Sequence, residues 1–303
     1  MSNSDPLLME NWLEKLLPSW IDTSDSRLTP PERNSQETTG QIFSELNLDL
    51  GIMDTHFHLD IHDNPKEVVK GCDIQGVFTI AVTTSPAMYP YTEKLAQESK
   101  YVFPAIGLHP LLVSQRRQDL PKLWEYLNRT RFVGEIGLDN SVEDDSDYSF
   151  QKDVFEETLD RCAKYGDKIF IIHARKTNET RNVVKDVLDV IGENYPGKII
   201  LHWYSGTAEE LERAFTNGIY FSINRAMFHI PENLEIIKIM PKSRVLLETD
   251  GPVLLLDRKP MTPINAEHII GLVSDIWNIN ISETKDQLGK NLKTFLDIKN
   301  ETI

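Results

Sequence analysis

His56 and His58 are separated by one residue, follow a short apolar run and are flanked by Asp54 and Asp60. Successive side chains of a β-strand alternate between its faces, so residues two apart share a face. Both imidazoles can therefore point the same way and bind one cation through ring nitrogens. A lone His-x-His pattern is equally typical of polar residues that bond to backbone carbonyls at a strand end, so the rest of the chain must decide between these interpretations.

Further side chains that bind metals each follow a separate apolar segment: His109, Glu135, His173, His202 and Asp250. This set of imidazoles and carboxylates suits one or two divalent cations. A carboxylate such as Glu135 can bridge two metal ions about 3.5–4 Å apart, as in two-metal hydrolases. Asp250 could be both a ligand and the base that accepts a proton from water. Three other histidines lie outside these segment ends and are assigned no role: His62, His229 and His268.

Eight apolar, β-branched segments of the chain predict strands, and amphipathic, helix-like segments lie between most of them. Near-continuous apolar strands that alternate with helices are typical of a parallel sheet covered on both faces. Eight such units in about 250 residues predict an α/β fold, a closed (β/α)8 TIM-type barrel, with an open doubly wound sheet as the alternative. Because barrel active sites form at the carboxyl ends of the strands, the candidate ligands are expected to converge there. The predicted strands are 52–55, 76–83, 101–106, 132–136, 168–173, 198–203, 219–223 and 244–249.

Residues 1–50 differ from the remainder and are predicted to form an N-terminal extension to a barrel domain of residues 51–303. They carry three basic and nine acidic residues, a net charge of −6 out of −15 for the whole chain. Leu and Trp recur at helical spacing between Leu7 and Leu17, which predicts a short amphipathic helix. Residues 23–40 are rich in Ser, Thr, Pro, Asp and Asn, which predicts a flexible connector. The apolar stripe either packs on the barrel or docks a partner protein.

Composition excludes several classes of protein. No run approaches the roughly 18 apolar residues that a membrane-spanning helix needs, and no secretory signal is expected at the N-terminus. With a net charge of −15, the molecule as a whole repels polyanions, so a phosphate-bearing substrate would need local cations or bound metals. Cys72 and Cys162 belong to no paired motif, which favours a reduced, cytoplasmic setting.

Six short motifs around the candidate ligands, taken in order, resemble the motif series of the TatD family of metal-dependent hydrolases. They are Asp54–Asp60, Gly107–Pro110, Gly134–Asp139, Ile172–Arg175, His202–Gly206 and Glu248–Pro252. The resemblance covers residues 51–298. Within the family, residues 201–206 and 249–252 look most similar to QatD, the TatD-like component of the Qat anti-phage defence system.

The resemblance implies a metal-dependent hydrolase with a TIM-type barrel, one to three divalent metal ions and deoxyribonuclease activity. Two ions are expected here, chosen from Mg²⁺, Mn²⁺ and Zn²⁺. Carried over by motif, His56, His58 and Asp250 hold the first ion. Glu135 bridges the two ions and takes part in catalysis with Asp250. The second ion is held by His173 and His202.

The resemblance also implies contacts to the substrate. His109 is expected beside the substrate phosphate, and Arg175 matches a basic position of the family that could bind phosphate or form a salt bridge. The segment after the last strand lacks the usual family pattern, but Arg258 and Lys259 in it are candidate phosphate contacts or an exposed surface pair. A second departure is the acidic stretch 140–147 after the fourth strand, which is predicted to be a solvated loop on the same rim.

Three functions are compatible with this sequence. The first is a deoxyribonuclease acting on DNA, single-stranded or at an end, within a defence complex that residues 1–50 could help to assemble. The second is a metal-dependent amidase or esterase acting on a small substrate, because the same scaffold hydrolyses C–N and C–O bonds. The third is an assembly component with weak intrinsic activity. Cations near the rim favour the first, and no membrane partner is expected.

Overall fold

The computed structural model describes residues 43, 46, 51–142, 144–178 and 180–298. The helix and connector predicted within residues 1–50 lie outside the described residues, which in this region are Phe43 and Leu46 alone. The boundary at residue 50 stays a prediction. Eight parallel strands follow one another in chain order around the sheet. They are β1 (Met53–Phe57), β2 (Phe78–Ala81), β3 (Val102–Ile106), β4 (Phe132–Asp139), β5 (Ile169–Arg175), β6 (Lys198–His202), β7 (Tyr220–Ile223) and β8 (Val245–Leu247).

The first and last strands approach each other and nearly close the sheet into a barrel. The amide of Asp250 donates to the carbonyl of His56 at 3.1 Å, and the amide of His58 donates to the carbonyl of Gly251 at 2.8 Å. These contacts join the carboxyl end of β1 to the segment after β8. The predicted (β/α)8 TIM-type barrel is therefore confirmed. Because the strands are parallel, all their carboxyl ends lie at one rim.

Nine α-helices lie among the described residues, most of them between successive strands. In the helix 183–191, five apolar side chains are buried against the barrel, and Asn182 caps its first turn by accepting a hydrogen bond from the amide of Lys185. Among these described helices, no helix is long and apolar enough to cross a membrane. They are α1 (Pro65–Gln75), α2 (Tyr89–Ala96), α3 (Leu120–Tyr126), α4 (Asp145–Ala163), α5 (Val183–Ile191), α6 (Ala208–Thr216), α7 (Pro231–Ile239), α8 (Ala266–Trp277) and α9 (Ile281–Phe295).

The acidic stretch after β4 is not wholly a loop, which corrects the prediction for residues 140–147. Helix α4 begins at Asp145, and the side chain of Asp144 accepts a hydrogen bond from the amide of Ser146 as its N-cap. Acidic side chains in a first turn interact favourably with the exposed amides at a helix N-terminus. The carboxylates Asp145 and Asp147 therefore belong to the helix start, and the loop that remains is short.

Phe43 fills the end of the barrel opposite the carboxyl rim. Its ring packs against Phe78, Phe103 and Phe132 at centroid distances of 6.2, 5.2 and 6.3 Å, and only 2% of its surface is exposed. Phe78 and Phe132 begin their strands, and Phe103 lies near the beginning of its own. Phe43 therefore lies at the amino ends of the strands, on the far side from the candidate ligands.

Candidate metal centre

Glu135, in the middle of β4, lies at the centre of the converging histidines. Its Oε1 lies 2.6 Å from Nδ1 of His173 and 3.0 Å from Nε2 of His202. Its Oε2 lies 3.5 Å from Nε2 of His56 and 3.4 Å from Nε2 of His58. The two oxygens of one carboxylate thus face two different histidine pairs. This is the arrangement expected of a carboxylate that bridges two cations.

The first pair of histidines converges with Asp250. Nε2 of His56 and Nε2 of His58 are 3.2 Å apart, and Oδ1 of Asp250 lies 3.6 Å from the first and 3.5 Å from the second. The structure therefore brings together the three side chains that the sequence predicted for the first metal position. All three are buried, with at most 5% of each residue exposed.

The second pair of histidines has a carboxylate on each side. Nδ1 of His173 lies 3.0 Å from Nε2 of His202, and both nitrogens face Oε1 of Glu135. The outer nitrogen of His173, Nε2, lies 2.9 Å from Oδ2 of Asp139. Nδ1 of His202 faces Oε1 of Glu248 at 3.6 Å. Outer carboxylates of this kind fix which imidazole nitrogen is left for a metal.

His109 differs from the other rim histidines in that its Nε2, the nitrogen that faces Glu135, carries the proton of the neutral ring. Nδ1 of His109 accepts a hydrogen bond from the amide of Leu111 at 3.2 Å, so in the neutral ring the proton is on Nε2. Nε2 lies 3.5 Å from Oε1 of Glu135. A protonated Nε2 is a hydrogen-bond donor and not a ligand. This geometry fits the predicted place of His109 beside a substrate oxygen.

The donor set fits divalent cations. Three groups of described side chains have ligand atoms within 4.8 Å of one another. In addition, Oε2 of Glu135 is buried and accepts no hydrogen bond from the described residues. Two imidazole nitrogens about 3 Å apart repel each other unless a proton or a cation lies between them. The three groups are His56–His58–Asp250, which is the set predicted for the first ion, and His56–His202–Glu248 and His109–Glu135–His173, which divide the other side chains differently from the prediction.

The charges of these residues are strongly coupled. Burial works to raise the pKa of Glu135, but His109, His56 and His202 hold it well below its usual range, so Glu135 is a carboxylate. Burial lowers the pKa of His56 to about 4 and that of His109 to about 3, so both rings are neutral at pH 7 and become charged only in the acid range where Glu135 titrates. Burial also opposes the charged form of His58, but its hydrogen bond to Asp250 and the charge of Glu135 raise its pKa to about 9.

Backbone contacts set the positions of these side chains. The carboxylate of Asp54 accepts hydrogen bonds from the amides of His56 and Thr249 at 3.1 and 3.0 Å, and a third from the hydroxyl of Thr249. Asp54 therefore ties His56 on β1 to Thr249, the residue before Asp250. A side chain at Gly107 would collide with the backbone of Glu135, so glycine allows β4 to lie close to the segment after β3.

The cations predicted to contact substrate lie around the rim. Arg175 is the exposed last residue of β5. Arg258 and Lys259 are exposed on a hairpin after β8 that pairs β9 (Leu255–Leu256) with β10 (Lys259–Pro260). Arg258 lies at the hairpin turn with a φ of 65°. These cations therefore lie on the rim side of the barrel. None of the ion pairs between described residues joins them to a candidate ligand.

The loops after β4 and β5 are fastened to each other. The side-chain oxygen of Asn140 accepts hydrogen bonds from the amide and hydroxyl of Thr177 at 2.7 and 2.9 Å, and Asn140 and Asn178 exchange further side-chain bonds. Arg181 pairs with Asp145 at the start of α4. Part of the acidic charge beside the rim is thereby neutralised, and the segment after Arg175 is held in place.

Three further residues were not assigned a role from the sequence: two face the candidate histidines, and one follows β7. Asp139 lies four residues after Glu135 and Glu248 two residues before Asp250, so strand periodicity could have placed both near the ligands. Arg225 follows β7, and its Nε is buried without a hydrogen-bond partner among the described residues. No simple pattern in the sequence distinguishes it from other arginines.

Comparisons with known proteins agree with this geometry. The model of the TatD related DNase family matches residues 53–297. YabD, an uncharacterised metal-dependent hydrolase of Bacillus subtilis, is 28% identical over 266 residues, which cover 82% of this chain and 99% of that protein. A TATDN1 homologue of Vairimorpha ceranae, described as a putative deoxyribonuclease, is 26% identical over 246 residues, which cover 75% of this chain and 87% of that protein.

Among solved structures, this fold is similar to that of YjjV, a TatD homologue from Escherichia coli. The two superimpose with a TM-score of 0.70 at 23% identity, and the match covers 83% of this chain and 100% of that one. At this level of identity, the comparison shows that the two proteins share a fold.

Proposed function

Because the chain belongs to the TatD related DNase family, we propose that it is a deoxyribonuclease that hydrolyses phosphodiester bonds with two divalent metal ions. As a member of this family it is a metal-dependent hydrolase. Relatives named as putative deoxyribonucleases support DNA as its substrate. The observation that carries the proposal is the position of Glu135, whose two oxygens face two separate histidine pairs.

The proposed ligands divide into two sets that share this carboxylate. His56, His58 and Asp250 would hold one ion together with Oε2 of Glu135, and His173 and His202 would hold the other together with Oε1. When bound, Mg²⁺, Mn²⁺ or Zn²⁺ would supply Lewis-acid stabilisation of the phosphodiester and lower the pKa of water. Asp250, at the first position, would accept the proton that water loses during attack.

The remaining polar residues of the rim would bind and orient the DNA. His109, with its proton on Nε2, would donate to a phosphate oxygen beside Glu135. Arg175, Arg258 and Lys259 would bind neighbouring phosphates, and Arg225 is added to them on the strength of its buried Nε. These cations supply the local attraction that a chain with a net charge of −15 needs for a polyanion.

The form of the DNA follows from the depth of the site. The proposed ligands are at most 5% exposed, so a scissile phosphate must enter between the rim loops to reach them. A single strand or a frayed end can do so more readily than the wide, stiff duplex. We therefore propose single-stranded DNA or a DNA end as the substrate.

Two short segments bear on the biological setting of the enzyme. Residues 201–206 and 249–252 resemble QatD, so we place the enzyme in an anti-phage defence complex in the cytoplasm. Residues 1–50 would dock a protein component of that complex through their apolar stripe. Deletion of residues 1–50 tests this: DNA hydrolysis should survive, while co-purification with the other Qat components should be lost. Unchanged co-purification would contradict the docking role.

Hydrolysis of short DNA strands by the purified protein tests the activity. Strands labelled at the 5′ or 3′ end are incubated with Mg²⁺, Mn²⁺ or Zn²⁺, and the Glu135→Ala variant is treated in parallel. Metal-dependent cleavage that is lost in the variant is the expected result. If the protein binds metal stoichiometrically but hydrolyses p-nitrophenyl esters or anilides and not DNA, the deoxyribonuclease proposal is wrong and the amidase or esterase alternative replaces it.

A further inference from the structure

Glu248, the residue after β8, is a buried carboxylate that accepts three hydrogen bonds from residues at the ends of the two preceding strands. Its Oε1 accepts from the amide of Trp203 at 3.1 Å and from Nδ2 of Asn224 at 2.9 Å. Its Oε2 accepts from the hydroxyl of Ser222. These donors follow β6 or belong to β7 and the residue after it, so Glu248 joins the carboxyl ends of three adjacent strands. None of its surface is exposed.

Glu248 also faces His202 on the side away from the other candidate ligands. Nδ1 of His202 is buried without a hydrogen-bond partner among the described residues and lies 3.6 Å from Oε1 of Glu248, which is a charge contact, whereas Nε2 of the same ring lies 3.0 Å from Oε1 of Glu135. A carboxylate next to Nδ1 favours the tautomer with the proton on that nitrogen. The lone pair of Nε2 is then left toward Glu135 and His173, where the second ion is proposed to bind.

A direct role of Glu248 as a metal ligand is less consistent with its contacts. Its oxygens do lie within 4.8 Å of ring nitrogens of His56 and His202, as a ligand group would. However, Oε1 already accepts hydrogen bonds from Trp203 and Asn224, so a metal ion bound there would have to displace one of these donors, whereas the charge of Glu248 acts on Nδ1 of His202 at 3.6 Å without displacing either. Oε2 is bound by Ser222.

We infer that Glu248 is a positioning residue, which holds His202 in the tautomer and orientation that ligate the second metal ion. This inference rests on the proposed function only in taking His202 to be a ligand. Outer-shell partners of metal-binding histidines typically change metal affinity by about 10- to 100-fold when they are removed. The negative charge of Glu248 makes the imidazole a stronger donor, and its three hydrogen bonds keep the charge in place.

The test measures metal binding in a double-mutant cycle. Glu248→Gln and Glu248→Ala are made in the wild-type chain and in a His202→Ala chain, and the affinity and stoichiometry of Mn²⁺ and Zn²⁺ alone are measured by competition with a chelator. Gln can keep the hydrogen bonds of Trp203 and Asn224 while it removes the charge. In the wild-type background, Glu248→Gln should weaken binding of the second ion at least about 10-fold. In the His202→Ala background, the same change should alter affinity by no more than about twofold.

Thermal unfolding of the metal-free variants separates positioning from simple support of the fold. Glu248→Gln should unfold close to the wild-type temperature although its metal affinity is reduced, whereas Glu248→Ala should lose both. Should Glu248→Gln fail to fold, Ser222→Ala, which removes one donor to Oε2, should still weaken the second ion selectively.

Two results would overturn the inference. Loss of one bound ion by Glu248→Gln in both backgrounds would make Glu248 a ligand in its own right, and unchanged affinity in the wild-type background would remove its role altogether. Both are distinct from failure of the proposed function: a wild-type protein that binds two ions in the predicted manner but cleaves no DNA would leave the role of Glu248 intact and remove only the deoxyribonuclease.

Discussion

Glu135 and His173 face each other at 2.6 Å between Oε1 and Nδ1, on the neighbouring strands β4 and β5. The other nitrogen of the same imidazole lies 2.9 Å from Oδ2 of Asp139, so one ring lies between two carboxylates. Burial opposes the charged form of His173, but the hydrogen bonds to Asp139 and Glu135 raise its pKa. Nδ1 therefore faces the place where a cation would bind, while Asp139 faces Nε2 on the other side of the ring.

Replacing Glu135 tests its place between the two histidine pairs. Glu135→Gln keeps the shape of the side chain but removes the charge that both pairs share. DNA hydrolysis should fall by at least about 100-fold, and metal content, measured by elemental analysis of dialysed protein, should drop below that of the wild type. Glu156→Gln, the same change on the exposed face of α4, should leave both unchanged. Full metal content with full activity in Glu135→Gln would contradict the bridging role.

Metal binding is expected to release protons. In the metal-free protein the pKa of His58 is raised to about 9, so at pH 7 this ring carries a proton that a metal must displace. The pKa of His202 is also raised, through the charges of Glu248 and Glu135 against the opposing effect of burial. Affinity should therefore rise with pH up to about 9 and fall as pH falls.

Calorimetric titration with Zn²⁺ in two buffers of different ionisation enthalpy measures this release at pH 7. At least one proton should leave for each protein molecule, and fewer should leave from His58→Ala. His62→Ala, outside the site, is the control and should behave as the wild type. Binding heats that are independent of the buffer would show that the rings are already neutral.

The convergence of these side chains could be predicted from sequence because two simple rules locate them, whereas their role as metal ligands stays a prediction. Residues two apart on a strand share a face, which paired His56 with His58, and the carboxyl ends of parallel strands meet at one rim, which brought in Glu135 and Asp250 from distant positions. The amphipathic periodicity of the sequence also predicts helices over 208–216, 231–239 and 266–277, and the structure has helices with these bounds.

Features that depend on contacts between distant residues could not be predicted in this way. The role inferred for Glu248 depends on donors at the ends of β6 and β7, and the tautomer of His109 depends on the amide of Leu111. The hairpin after β8 has no signal in the sequence, because its turn residues Asp257 and Arg258 have positive φ without the Asn-Gly or Gly pattern that usually marks such turns.

The hairpin cations are expected to act on substrate binding and not on the chemical step. Arg258→Gln and Lys259→Gln should raise KM for single-stranded DNA with little change in kcat, because both side chains lie outside the ligand cluster. For each phosphate group that the variant no longer binds, the slope of log affinity against log salt concentration should become less steep by about 0.7. Lys290→Gln, an exposed lysine on α9, is the matched control. A change confined to kcat would place these residues in the chemistry instead.

Asp54 is expected to stabilise the closure of the barrel between β1 and β8. Asp54→Ala leaves the amides of His56 and Thr249 and the hydroxyl of Thr249 buried without their acceptor, which should lower the free energy of unfolding by about 3 kcal/mol. Asp73 also accepts three hydrogen bonds, from Ser99, Lys100 and Tyr101, but at a partly exposed position. Since water can replace that acceptor, Asp73→Ala should cost only about 1 kcal/mol.

Denaturant unfolding of the metal-free variants of Asp54 and Asp73 measures both effects without a contribution from bound metal. Burial raises the pKa of Asp54 to about 8 against the hydrogen bonds from Thr249 and His56. A raised pKa in the folded state gives a stabilisation that is complete below the unfolded value and is lost as pH rises through the folded one. The difference between wild type and Asp54→Ala should therefore shrink as the pH rises from the unfolded value of 3.8 toward about 8 and then level off. A difference that grows with pH, or equal losses at Asp54 and Asp73, would show that this carboxylate does not hold the first and last strands together.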